Sequence, residues 1–198
     1  MFIELTDLLR CPAKHDEGFL VLIPNHMESR SVRSGLLGCP VCAREYRIVD
    51  GIVLFEVDGQ PGTPSPVASG DEGADAAALV AFLGIEGPGG YVGLFGSAAA
   101  RAESLSALLP GVHFAAVNPP EATSETPVLS LLRAPSSPFR SRSLRGAVLG
   151  ASDPEWQEEA ARSVLPGLRV VGRGHAPDIE DLEPMGEAAG WWVARRTS

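Results

Sequence analysis

Lysine is nearly missing from this chain: Lys14 stands alone beside fifteen arginines, and 25 acids leave a formal net charge of -9. That balance excludes the broad basic stripe by which a phosphate backbone is held. The nearest approach to one is Arg133, Arg140, Arg142 and Arg145, which also reads as a solvated loop, so direct nucleic-acid binding is not expected. Long apolar runs are missing too, and nothing approaches the ~20 residues that cross a bilayer, so no membrane partner is expected. The stretch Met1–Asp7 carries acids early and no basic n-region, so no signal peptide is expected and a cytoplasmic address follows. Cysteine is scarce, and three thiols cannot form a closed disulfide framework. Their spacing says more than their number.

What is present divides the chain in three. Residues 1–57 hold every cysteine, two of the four histidines and several strand-like runs. Residues 58–74 are Pro, Gly, Ser and acid without hydrophobic period, and predict a flexible linker. Residues 75–198 alternate helical and strand patterns. The spacing predicts helices over Asp75–Gly84, over Ser97–Leu109 with Ser97 as N-cap, and from Asp153-Pro154 through Val164. Strands are expected at Tyr91–Phe95, Val112–Val117, Val128–Leu132, Ala147–Leu149, Leu168–Gly172 and Trp191–Ala194. Of Trp191 and Trp192, one ring is expected to be packed and the other exposed; Asp178–Glu183 reads as a solvated acidic turn. Such alternation indicates an α/β domain with a mainly parallel sheet covered on both faces.

Cys39-Pro40-Val41-Cys42 is a C-x-x-C knuckle, and Cys11-Pro12 lies upstream with His15 four residues beyond the cysteine. Zinc takes four tetrahedral N/S ligands, and one knuckle supplies two, so a distant pair must close the site. Cys11, His15, Cys39 and Cys42 are the expected ligands, with His26 the alternative fourth. A closed Cys3His shell leaves no open position, which makes the metal structural and a large part of a small module's folding free energy. Three buried thiols without metal are the plainer reading. A redox role fits less well, because no thioredoxin-like βαβ pattern surrounds the knuckle.

Leu5-Thr6-Asp7-Leu8-Leu9-Arg10-Cys11-Pro12, then Gly38-Cys39-Pro40-Val41-Cys42, then Tyr46-Arg47-Ile48-Val49-Asp50-Gly51-Ile52-Val53 resembles the small zinc-ribbon family of methyltransferase activators over residues 3–56. Lys14-His15 stands where that family commonly has a second cysteine. The resemblance implies a module that docks on and stabilises methyltransferases. Residues 75–198 resemble a class I methyltransferase using S-adenosylmethionine, through Gly90-Tyr91-Val92-Gly93-Leu94-Phe95-Gly96, Ser137-Pro138-Phe139 and the run Glu158–Val171.

The likeness fails where chemistry would sit. A glycine-rich turn and an acid after the first strand normally hold the cofactor; here Gly93 takes the acid's place, and Phe95, Ser97 and Ala99 occupy much of the glycine pattern. The acid that would accept from the ribose hydroxyls at the end of the second strand is replaced by Asn118, followed by two prolines, and Gly150–Asp153 follows the fourth strand. Each lost carboxylate contact removes about 1.5–3 kcal/mol. Gly93, Gly96 and Asn118 are the cofactor-binding positions if the site survives in altered form; otherwise the two glycines serve a strand-to-helix turn. His113 and His175 lie in no nucleophile motif, and no catalytic residue is assigned.

The expected architecture is therefore a β-rich zinc ribbon at 1–57, a linker at 58–74 and a truncated Rossmann-like domain at 75–198. The expected function is a non-catalytic adaptor or activator that binds a partner protein, plausibly a methyltransferase. The alternatives are a divergent active methyltransferase and a self-associating structural protein, for example a homodimer.

Overall fold

The computed structural model describes residues 1–66, 76–150 and 154–198. Residues 67–74 of the expected linker and the stretch 151–153 lie outside the described residues. The N-terminal part opens with a 3-10 helix, Ile3–Leu8, and continues as an antiparallel meander. Its strands are β1 (Val21–Glu28), β2 (Ser31–Gly38), β3 (Glu45–Val49) and β4 (Ile52–Leu54). Asp50 and Gly51 join β3 to β4 with φ of 49° and 81°. Two consecutive positive-φ residues form the tight turn whose twist suits a hairpin. A second hairpin, β5 (Glu56–Val57) with β6 (Gln60–Pro61), follows at once and orders the beginning of the stretch read as linker.

The rest of the chain supplies α1 (Ala76–Leu83), β7 (Tyr91–Phe95), a 3-10 turn (Gly96–Arg101), α2 (Ala102–Leu108), β8 (His113–Val117), β9 (Leu129–Arg133) and β10 (Leu144–Leu149). It ends with α3 (Pro154–Ser163), β11 (Val164–Arg173), β12 (Leu182–Ala188) and β13 (Trp191–Arg196). All but β5 and β6 join one eleven-stranded sheet in the order β1-β2-β3-β4-β9-β8-β7-β10-β11-β13-β12. The pairings from β4 through β11 are parallel, and the two flanks are antiparallel. The chain is an α/β protein with a doubly wound, Rossmann-like centre.

The N-terminal meander joins that centre directly. β4 lies parallel to β9 with Val53 opposite Leu132 and Leu54 opposite Arg133, and the Phe55 N–H donates to the Arg133 carbonyl at 2.7 Å. Glu125, in the loop between β8 and β9, receives both the Met1 ammonium and the Arg33 guanidinium from the ribbon side.

Alternation along the strands sends side chains to two apolar layers. Leu132, Val117, Leu149, Val170 and Trp192 share one cluster with the ribbon's Leu5, Leu9, Leu37, Tyr46, Ile48 and Phe55, and α3 adds Ala160 and Ala161. Leu131, Ala116, Val148, Val171 and Trp191 face the other way, against Leu79 and Leu83 of α1 and Leu105 of α2. The N-terminal part and one face of the central sheet thus share a single core.

Several local expectations need correction. Trp191 and Trp192 are both buried, because adjacent residues of β13 enter opposite layers and both layers are covered. The Trp192 ring lies over Gly172, its cross-strand neighbour, where an added Cβ would meet it at 2.4 Å. The acidic turn expected at Asp178–Glu183 runs into the edge strand β12, which starts at Leu182. Ser97 makes no cap, and the helix expected from it divides into a 3-10 turn followed by α2. The strand expected from Leu168 begins earlier, at Val164, and carries Pro166-Gly167 as an irregularity between the pairs Leu144–Val164 and Gly146–Arg169. Arg196 reaches back from β13 to the Ala161 and Arg162 carbonyls at the end of α3, satisfying acceptors that the last helical turn leaves open.

Candidate metal centre and the cavity at the carboxyl end of the sheet

Cys11 follows the 3-10 helix, where Leu9 bridges to Phe139 and Arg10 to Phe19. Cys39 directly follows β2, and the knuckle closes on itself: the Ala43 N–H donates to the Cys39 carbonyl and the Cys39 N–H to that of Arg44. Ala43 takes a φ of 57° to make this turn. Together these elements bring one donor atom each from Cys11, His15, Cys39 and Cys42 within 4.8 Å of one another. Cys11 Sγ lies 3.7 Å from Cys42 Sγ, and Cys39 Sγ lies 3.3 Å from His15 Nε2.

A tetrahedral zinc with S and N ligands at ~2.3 and ~2.0 Å has donor separations of about 3.5–3.8 Å, and the Cys11–Cys42 and Cys39–His15 separations lie near that range. His15 Nδ1 sits 2.7 Å from the Asp16 carbonyl oxygen, which turns Nε2 towards the cysteines. Of the two candidate histidines, the fold brings His15 to the thiols. His26 lies exposed on β1, 3.6 Å from Glu28.

The four donors differ in setting. Cys11 and Cys39 are buried, and Cys42 is at the surface. Burial pushes the Cys11 thiol up to about 11. At Cys42 burial also opposes ionisation, but the Arg44 N–H, the two other thiols and His15 together bring it down to about 7. The Tyr46 hydroxyl is 2.9 Å from Cys11 Sγ, and burial, followed by that thiol, holds its phenol well above the ordinary range. Tyr46 stood in the family-like run without a role assigned; its contact with Cys11 spans 35 residues and leaves no local signal.

A second feature lies at the carboxyl ends of the parallel strands. A cavity of about 380 Å³ opens there, lined by Phe95 and Gly96 at the end of β7, Val117 and Asn118 at the end of β8, Ala134 and Pro135 after β9, Leu149 of β10 and Trp156 of α3. Gln60, Pro61, Thr63 and Ser65 cover it. The strands on either side of β7 depart in opposite directions, and open α/β sheets bind ligands at such a switch point.

The positions expected to hold a cofactor are only partly gathered at this cavity. Gly96 is at its rim with a φ of 62°, the strand-to-helix turn that a glycine serves there. Gly93 is not among the lining residues; it sits inside β7, where a Cβ would meet Leu144 at 2.8 Å and the Phe95 ring at 3.0 Å. It makes room for packing and forms no turn.

Asn118 lines the cavity, but its side chain is already engaged. Nδ2 donates to the Ala134 carbonyl at 2.7 Å, and Oδ1 accepts the Ala134 N–H at 2.9 Å. Its own carbonyl accepts the Ser65 N–H at 3.0 Å. Gly62 lies so close that a Cβ would stand 1.9 Å from Ala134 N, so only glycine lets this segment rest there. No lining residue among those described carries an ionisable side chain. S-adenosylmethionine presents an ammonium and two ribose hydroxyls that call for carboxylates, and the described lining residues supply none.

The other residues raised from sequence have structural settings. His113 stacks between Phe2 and Tyr91 at 4.7 and 5.3 Å, and burial lowers its pKa. His175 is exposed, 3.4 Å from Glu187. Arg133 donates to the Pro119 carbonyl, Arg140 lies over the Phe19 ring, and Arg145 donates to the carbonyls of Glu86, Gly87, Pro88 and Gly89. No helix among the described residues is long and apolar enough to cross a membrane.

No protein-family model and no curated protein matches this chain. Among solved structures, it is similar to a complex between a Haloferax volcanii methyltransferase activator and a putative methyltransferase, at 21% identity and a TM-score of 0.40, covering 49% of this chain and 50% of that one. A methyltransferase from Aquifex aeolicus, described as SAM dependent, matches at 12% identity and a TM-score of 0.46, covering 62% of this chain and 88% of that one. Geranyl diphosphate C-methyltransferase from Streptomyces coelicolor matches at 16% identity and a TM-score of 0.40, covering 49% and 43%. The chain thus spans half or less of the first and third of these, and the fold described above rests on its own strand order.

Proposed function

We propose that this chain is a non-catalytic protein-binding platform in which a zinc ribbon, residues 1–57, braces a methyltransferase-like domain, residues 75–198, of the same chain. The resemblance to methyltransferase activators implies a ribbon that docks on a methyltransferase. The pairing of β4 with β9 supports a docking partner supplied in cis, because it uses the inner edge of the ribbon's sheet. Zinc held by Cys11, His15, Cys39 and Cys42 would supply structural cross-linking alone, all four positions being taken by protein. The ribbon would then stabilise its own sheet.

The observation that carries the non-catalytic reading is the engagement of Asn118. Both polar atoms of its side chain are bonded to Ala134, and Gly62–Ser65 rests against the same place. A cofactor would have to displace these bonds and would find no carboxylate among the described lining residues in exchange. The cavity itself favours the second reading, a divergent methyltransferase, since it lies where such a fold binds its ligand.

Titration calorimetry with the metal-loaded protein separates the two. S-adenosylmethionine and S-adenosylhomocysteine are expected to give no binding heat up to millimolar concentration. Micromolar binding of either would overturn the platform reading and make the chain a methyltransferase with an altered cofactor pocket.

A further inference from the structure

We infer that Tyr46 is a positioning residue of the metal centre, whose hydroxyl donates a hydrogen bond to the Cys11 sulfur and thereby tightens the hold on the ion. The inference rests on the reading of Cys11, His15, Cys39 and Cys42 as a zinc site.

The geometry is specific. Tyr46 is the second residue of β3, opposite Leu37 of β2, with its side chain turned into the shared core. Its Oη is 2.9 Å from Cys11 Sγ, and both residues are buried. A metal-bound thiolate has no proton, so it can only accept; the hydroxyl must be the donor. A hydrogen bond to a charged sulfur in a water-free setting is of the stronger, charge-assisted kind. It also fixes where the sulfur points. Cys11 needs this more than the knuckle cysteines do, because it comes from a separate segment 28 residues before the first of them. Outer groups that orient a ligand are worth roughly tenfold or more in metal affinity.

The same ring ties the centre to the rest of the fold. Tyr46 packs on Phe55 with centroids 4.8 Å apart, and the Phe55 N–H is the one that donates across the junction to Arg133. Metal, tyrosine, phenylalanine and the β4–β9 junction therefore form one contiguous path.

A plain core tyrosine whose hydroxyl happens to meet a thiol would leave the metal indifferent to it. Tyr46→Phe distinguishes the two, since it keeps the ring and its packing. Three readouts are taken on the full chain: the melting temperature of metal-free protein, zinc affinity by competition with a chromophoric chelator, and the thiolate-to-metal charge-transfer band of the cobalt-loaded form. Tyr46→Phe is expected to leave the metal-free melting temperature almost unchanged and to weaken zinc binding about tenfold. The cobalt band is expected to move to lower energy, because a sulfur that loses a hydrogen bond gives up its electrons more easily. Unchanged affinity and band would overturn the inference, as would a loss that appears equally in the metal-free protein. If the unsubstituted chain binds neither cobalt nor zinc, the metal reading itself falls.

Discussion

Stripping the metal with a chelator is expected to unfold the ribbon and to lower the melting temperature by more than ~10 °C. The segment Met1–Pro12 delivers Leu5 and Leu9 to the shared core, and both are fully buried there. Its tie to the knuckle is the Cys11–His15 side of the cluster, whose donors lie within 4.8 Å of the Cys39–Cys42 side. Without an ion, four polar groups face one another with little to offset their approach, and two of the thiols are buried. Binding energy of an ion that the unfolded chain holds poorly becomes folding energy. Cys39→Ala is expected to reproduce the loss and to remove sensitivity to the chelator, as followed by differential scanning calorimetry. A chelator that leaves the transition unmoved would reduce the cluster to three thiols and a histidine in contact.

Trp192→Ala is expected to destabilise the protein by about 3–5 kcal/mol, as measured by urea denaturation. The ring has no exposure to solvent and covers Gly172 on the neighbouring strand, with α3 and the ribbon sharing its cluster. Nothing beside Gly172 can collapse into the space, because a glycine has no side chain to move. An exposed tryptophan, which the doublet alone suggested for one of the two rings, would cost within about 0.5 kcal/mol. The substitution thus reads directly whether both layers of the sheet are covered at β13.

These two sites also show what sequence reasoning reaches. The gathering of the knuckle with the upstream Cys11 and His15 is legible because each half of the cluster is local in sequence. The alternation of strands and helices from Ala76 to Ser163 was legible for the same reason: a period is a local property. What stayed hidden was non-local. The pairing of β4 with β9 joins residues nearly eighty positions apart, and no pattern within either strand announces its neighbour.

Leu182–Ala188 shows no strand pattern in sequence because an edge strand needs little apolar character; Glu183, Pro184 and Gly186 suit an exposed edge. For Gly93 the family-like spacing suggests a cofactor position or a turn, whereas the structure sets it against Leu144 and the Phe95 ring. Asn118 was placed correctly at the end of its strand, but its engagement by Ala134 depended on β9 lying alongside. The Asp58-Gly59 pair, flanked by Val57 and Gln60, was the one local sign that the expected linker begins with a hairpin; its φ values are 53° and 75°.

The central claim is that the ribbon braces its own methyltransferase-like sheet across the β4–β9 junction. Hydrogen exchange of backbone amides, compared between metal-loaded and metal-stripped protein, tests it most directly. The account predicts that metal loss speeds exchange at Phe55 and through Leu131–Arg133 together with the ribbon strands, because the junction opens when its support goes. Fast exchange confined to β1–β3, with Leu131–Arg133 as protected as before, would contradict it and leave the ribbon as a separate module with no hold on the sheet.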